Sequence, residues 1–187
     1  RSGTIRLLFC MNRADGDEAM ICEGRAPRQI WTCSSDDDGA SWSDPVEITA
    51  SVKPDAWSWY ATGPCHGVQL ASGRLVVPCD HIVLENRNRH DPYYSHVVYS
   101  DDGGETWRVG GSTSEGTNES AVEEVRDGGL TWPASRVLHD GPAAYSDLCL
   151  APDGTVVCFY ERGERSPYER LTVARFGLEW LDGGAGA

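Results

Sequence analysis

Apolar positions in this 187-residue chain fall into runs of four to seven, each closed by glycine, proline, aspartate or serine. Runs this short, bounded by turn formers, predict strands and tight turns with almost no helix. Three segments read as first strands of hairpins: residues 64–70 before a turn at Gly73, 119–125 before Gly128, and 145–150 before Gly154. Pro64, Glu119 and Tyr145 each stand nine residues before the turn glycine and are therefore equivalent positions. Pairing back across the turns places His81 opposite Pro64 with Asp80 beside it. By the same counting Arg162 falls opposite Tyr145, with Glu161 beside it.

A second pattern repeats. Ser35-Asp36-Asp37-Asp38-Gly39-Ala40-Ser41-Trp42 and Ser100-Asp101-Asp102-Gly103-Gly104-Glu105-Thr106-Trp107 share Ser, Asp, Gly, Ser/Thr and Trp at fixed offsets. Asp127-Gly128-Gly129-Leu130-Thr131-Trp132 keeps all but the serine. The aspartate is expected to cap turn N–H groups, glycine to supply positive φ, and tryptophan to fold back as an apolar plug. This pattern resembles the Asp-box of β-propellers, a structural turn on the rim. In a propeller the first strand of each blade is innermost, so Pro64, Glu119 and Tyr145 would start strands at one mouth of the central channel. The first two Asp-box tryptophans are 65 residues apart but the second and third only 25. A four-stranded blade needs roughly 40. A deletion is therefore expected near 125–130, within a single partial propeller domain over 1–187.

Composition narrows the partners. The formal charge is −13, which repels nucleic acid and obliges any anionic ligand to find locally placed cations. No apolar stretch is long enough to span a membrane. Seven cysteines, an odd number with no CxxC or zinc spacing, favour free thiols and a reducing, cytoplasmic setting. The sequence opens at Arg1 without an initiator Met, so the natural start is expected upstream and export stays open. No metal constellation, phosphate loop or Ser-His-Asp arrangement stands out, and no cofactor is expected.

Four segments carry a more specific likeness. Trp59-Tyr60-Ala61-Thr62-Gly63-Pro64-Cys65-His66-Gly67, Gly73-Arg74-Leu75-Val76-Val77-Pro78, Gly116-Thr117-Asn118-Glu119-Ser120 and Gly141-Pro142-Ala143-Ala144-Tyr145-Ser146-Asp147-Leu148 resemble the bacterial exo-α-sialidase (neuraminidase) family with Asp-box repeats. The resemblance implies an all-β, six-bladed propeller, here incomplete at about three blades' worth of chain. It implies retaining hydrolysis of terminal sialic acids, with Tyr145 as nucleophile and Glu119 as the group that activates it. A neutral phenol suits an anomeric carbon that bears a carboxylate, which would repel an attacking Asp or Glu. The phenol's pKa of about 10 calls for a neighbouring base. Asp80, His81 and Arg162 are the further residues expected to touch substrate, a sialylated glycan.

The family also carries an Arg-Ile-Pro motif and an acid/base Asp in its first blade, and clamps the substrate carboxylate with three arginines. The motif is absent here, the Asp is expected to be missing with it, and Arg13, Arg25 and Arg74 read as surface residues. The alternative to a sialidase is accordingly a non-catalytic propeller remnant or a module that binds a sugar or a partner. An incomplete propeller leaves open sheet edges, through which self-association is expected.

Overall fold

The computed structural model describes residues 3–89, 92–124 and 136–183. The third Asp-box and the expected deletion lie outside them. Strands dominate. The helices α1 (Glu18–Cys22), α2 (Thr49–Val52) and α3 (Leu178–Leu181) are each about one turn long.

Three antiparallel sheets follow one another along the chain. The first runs β1 (Ile5–Asn12), β2 (Arg28–Ser35), β3 (Val46–Glu47). The second runs β4 (Trp57–Thr62), β6 (Leu75–Val83), β7 (Tyr93–Ser100), β8 (Arg108–Ser112), with the short β5 (Val68–Gln69) also paired to β6. The third runs β9 (Ala143–Leu150), β10 (Val156–Arg162), β11 (Arg170–Phe176). This is the expected blade pattern, three sheets of simple up-and-down order.

Each described Asp-box joins the last two strands of its sheet through the same network. Ser35 Oγ donates to Asp37 Oδ1 (2.8 Å), Ser41 N to the same oxygen (2.8 Å), and Trp42 Nε1 to Gly39 O (3.1 Å). In the second copy Ser100 Oγ reaches Asp102 Oδ1 (2.8 Å), Thr106 N the same oxygen (2.9 Å), and Trp107 Nε1 Gly104 O (3.1 Å). Both turns need two successive residues at positive φ. Gly103 and Gly104 supply them in one copy, and Asp38 at 58° with Gly39 in the other, aspartate being among the few side chains that tolerate this region. The hydrogen bonds hold the Asp37 carboxyl near a pKa of about 2 and Asp102 lower still.

The main core lies between the first two sheets, where Ile30, Val52, Tyr60, Cys79, Val98 and Trp107 are all buried. A smaller cluster of Leu70, Val76 and Val122 pins the strand-like segment after Glu119 against the other face of the second sheet. The turns at Gly73 and Gly154 are equivalent, as the sequence implied. Leu70 N bonds Arg74 O and Gly73 N bonds Leu70 O, just as Ala151 N bonds Thr155 O and Gly154 N bonds Ala151 O.

Two expected registers are corrected. Val68 pairs with Val76, but Thr62 pairs with Cys79, so three residues bulge out of the ladder between them. His81 therefore faces Tyr60, and Asp80 faces Ala61, instead of lying at Pro64. The bulge is fixed by Gly63, at a φ of 84°, and by Gly67, where a Cβ would meet Val76 O at 2.8 Å. In the third sheet a bulge between Tyr160 and Arg162 helps set Arg162 opposite Ala143, two residues beyond the expected partner Tyr145.

Candidate active site

Strand register brings the first-strand starts together. Ser120 forms a parallel bridge with Pro64. Cys65 donates its thiol to Ser146 O (2.9 Å), and His66 Nε2 lies 3.6 Å from Asp147 Oδ1. The bulged 63–67 segment thus touches both the Glu119 and the Tyr145 segments. Glu119 is held from behind as well. Ser95 N donates to Thr117 Oγ1 (2.8 Å), Ser95 Oγ to Asn118 O, and Ala71 N to Glu124 Oε2 (2.6 Å).

Glu119 and Tyr145, 26 residues apart in sequence, lie close enough for each side chain to shift the other's pKa, by charge and by a hydrogen-bonding contact. Partial burial raises the Glu119 pKa, against the lowering effect of that contact. The Tyr145 phenol is raised chiefly by the Glu119 charge, then by desolvation and by Tyr168 and Glu161. The raised Tyr145 pKa keeps the phenol neutral beside the Glu119 carboxyl. Tyr145 is 54% exposed.

Asp80 and His81 sit deeper than expected. Asp80 is 1% exposed and accepts from Trp59 Nε1 (3.1 Å), while its Oδ2 has no hydrogen-bond partner. Burial pushes its pKa up to about 7, the Trp59 bond opposes this, and the charges of Glu119 and Glu18 add to it. His81 is stacked on Trp57 at 3.4 Å, with its Nδ1 3.1 Å from Nδ1 of His96, inside the sheet's aromatic core. Arg162 donates to Thr172 Oγ1 (2.9 Å). Arg13, Arg25 and Arg74 pair with Asp15, Glu23 and Asp101 on the surface.

Sequence reasoning passed over three neighbours of this site. Arg28 lies 4.4 Å over the Trp59 ring, donates to Tyr60 O (2.8 Å), and lowers the Asp80 pKa. Glu18, on α1, reaches Tyr93 (3.4 Å) and acts on Asp80 from the first sheet. Tyr168 stands within electrostatic reach of Tyr145. None carries a local signal, because each arrives from a one-turn helix, a strand start or a loop whose neighbours are set only by the packing of the sheets. Among the described residues no three His, Cys, Asp or Glu side chains gather as metal donors, and no helix is long and apolar enough to cross a membrane.

With this geometry in hand, known proteins give a consistent comparison. Residues 1–127 match the BNR repeat-like domain. Sialidase-4 from Homo sapiens is 38% identical over 120 residues, covering 59% of this chain and 25% of that protein. A sialidase from Paraclostridium sordellii is 34% identical over 120 residues, covering 57% and 29%. Among solved structures, the Hadza microbial sialidase Hz136 superposes with a TM-score of 0.59 at 20% identity, over 96% of this chain and 51% of that one. Trypanosoma rangeli sialidase in complex with sialic acid superposes at 0.50 and 14% identity, over 94% and 24%. The chain spans between a quarter and a third of the length of these curated relatives.

Proposed function

The chain belongs to the sialidase family with BNR repeats, and we propose that its site performs retaining hydrolysis of terminal sialic acids through Tyr145. The placement of the Glu119 carboxyl within interaction range of the Tyr145 phenol is the observation that carries this reading. In the first step Glu119 takes the phenolic proton as Tyr145 Oη bonds to the anomeric carbon and the glycosidic C–O bond breaks, the leaving alkoxide taking a proton from solvent. In the second, water attacks the anomeric carbon and releases a proton to solvent as the tyrosyl C–O bond breaks, and the tyrosyl oxygen regains its proton from Glu119. Two inversions give net retention, the double-displacement logic of retaining glycosidases with a tyrosine replacing the usual carboxylate nucleophile.

Asp80, His81 and Arg162 are read as supports. Asp80 fixes Trp59, His81 fixes Trp57, and Arg162 tethers β10 to β11 beside the nucleophile. The carboxylate clamp expected from the family has no match among Arg13, Arg25 and Arg74, each engaged by a surface carboxylate. Loss of leaving-group protonation alone typically costs about 10²–10⁴ in rate. A chain without that acid is therefore proposed to turn over far more slowly than a full-length sialidase.

A second reading rests on the exposure of Tyr145 and on those missing arginines: the chain is a remnant that no longer turns over. Hydrolysis of a fluorogenic sialoside by the purified chain and by its Tyr145→Phe variant separates the two. Activity lost in Tyr145→Phe supports catalysis; no activity in either chain supports the remnant.

A further inference from the structure

Glu119 and Tyr145 are carried by different parts of the fold, and their supports differ. The Glu119 segment is bound to the second sheet by the cluster of Leu70, Val76 and Val122 and by Ala71 N on Glu124 Oε2 (2.6 Å). Tyr145 stands on β9, which among the described residues is laddered to β10 alone. That ladder leaves the height of β9 against Glu119 unset.

Three consecutive residues of the bulged segment set it. Pro64 bridges Ser120, the residue after Glu119. Cys65 Sγ donates to Ser146 O (2.9 Å), and His66 Nε2 lies 3.6 Å from Asp147 Oδ1, so the next two residues reach the two that follow Tyr145. The tripeptide is itself fixed. Gly63 before it holds a φ of 84°, and a Cβ at Gly67 after it would meet Val76 O at 2.8 Å.

The chemistry of each contact suits a strut. His66 Nδ1 lies 3.1 Å from Gly67 O. A carbonyl can only accept, so Nδ1 carries a proton and Nε2 is the nitrogen turned to Asp147. Asp147 Oδ1 is held in turn by Leu148 N (2.9 Å). Burial and the charges of Asp147 and Glu119 raise the Cys65 pKa, which keeps the thiol protonated and so a donor.

We propose that His66 and Cys65 are positioning residues, which hold β9 through Asp147 and Ser146 at the height that keeps the Tyr145 phenol beside the Glu119 carboxyl. Neither touches the reacting atoms. The inference rests on Tyr145 being the nucleophile, since small displacements between nucleophile and base are costly in rate. His66 and Asp147 are each 53% exposed, so their contact is a weak one energetically. Either strut is worth about fivefold in the population of the aligned site.

Steady-state hydrolysis of a fluorogenic sialoside and amide hydrogen exchange test this together. His66→Ala and Asp147→Ala should each lower kcat about fivefold with KM within about twofold. Combined, they should cost no more than either alone, because both remove one contact. Asp147→Asn, whose amide can donate to a neutral Nε2, should recover most of what Asp147→Ala loses. Adding Cys65→Ala to His66→Ala should cost about a further fivefold. Exchange should quicken at Ser146 and Asp147 in the alanine variants and stay unchanged in β11, with the melting temperature held. Additive losses from His66→Ala and Asp147→Ala, a rise in KM in place of the fall in kcat, or unchanged exchange at Ser146 and Asp147 overturns the proposal and leaves the nucleophile standing. Equal hydrolysis by the unaltered chain and Tyr145→Phe, whether measurable or absent, overturns the Tyr145 reading itself and this inference with it.

Discussion

The Nδ1 atoms of His81 and His96 lie 3.1 Å apart in a core that also packs Trp57 and Tyr60 around them. One of these atoms donates while the other accepts, so at least one ring is neutral, and burial opposes charge on both. Burial lowers His81 to about 4 and His96 to about 3, the latter helped by the charge of His81. The unfolded chain takes up these protons near pH 6.5. Below that pH the unfolded state binds more protons, and stability falls with pH until the folded values are reached. The melting temperature should drop between pH 6.5 and 4 in a pH series of thermal melts. A flat profile over that range would count against the buried pair.

Asp80 acts in the opposite direction. Its folded pKa of about 7 lies above the ordinary 3.8, so the fold favours the neutral acid, and stability is lost as pH rises from about 4 to 7. Asp80→Asn keeps an acceptor for Trp59 and removes the ionisation. The variant should melt higher than the wild type at pH 8 and equal to it near pH 4. Scanning calorimetry at the two pH values checks the crossing.

Much of this was legible in the sequence. The Asp-box spacing located the turns at Asp37 and Asp102 and the glycine count those at Gly73 and Gly154, while the count from Gly128 that placed Glu119 lies outside the described residues. The register of Asp80, His81 and Arg162 was not legible. A ladder counted from a turn assumes no bulge, and the chain bulges at Gly63–Gly67 and again before Arg162. Glu18 and Arg28 were missed for a different reason. Their role depends on how two sheets pack, which no periodicity within either sheet encodes.

The two Asp-box tryptophans should differ sharply on truncation. Trp107→Ala opens a cavity in the main core and should cost about 3–5 kcal/mol. Trp42→Ala should cost under about 1 kcal/mol, since the residue is 43% exposed. Urea denaturation of the two variants gives the comparison directly. Equal losses would mean that the first sheet's outer face is covered within the protomer.

Gly67 has a testable packing role. A methyl group there would press on Val76 O at 2.8 Å and Val77 Cγ2 at 2.9 Å, contacts that cannot relax without moving β6. Gly67→Ala should destabilise by about 1–3 kcal/mol. It should also loosen the loop that holds Cys65 on Ser146, seen as faster amide exchange at Ser146 and Asp147.

The central claim is that Tyr145, activated by Glu119, attacks the sugar. Its most direct measurement is the initial rate of fluorogenic sialoside hydrolysis by the chain, by Tyr145→Phe and by Glu119→Gln, all at millimolar substrate. The account predicts slow, measurable turnover in the unaltered chain. That turnover should vanish in Tyr145→Phe and fall by about 10²–10⁴ in Glu119→Gln. Equal rates in the unaltered chain and in Tyr145→Phe would contradict it.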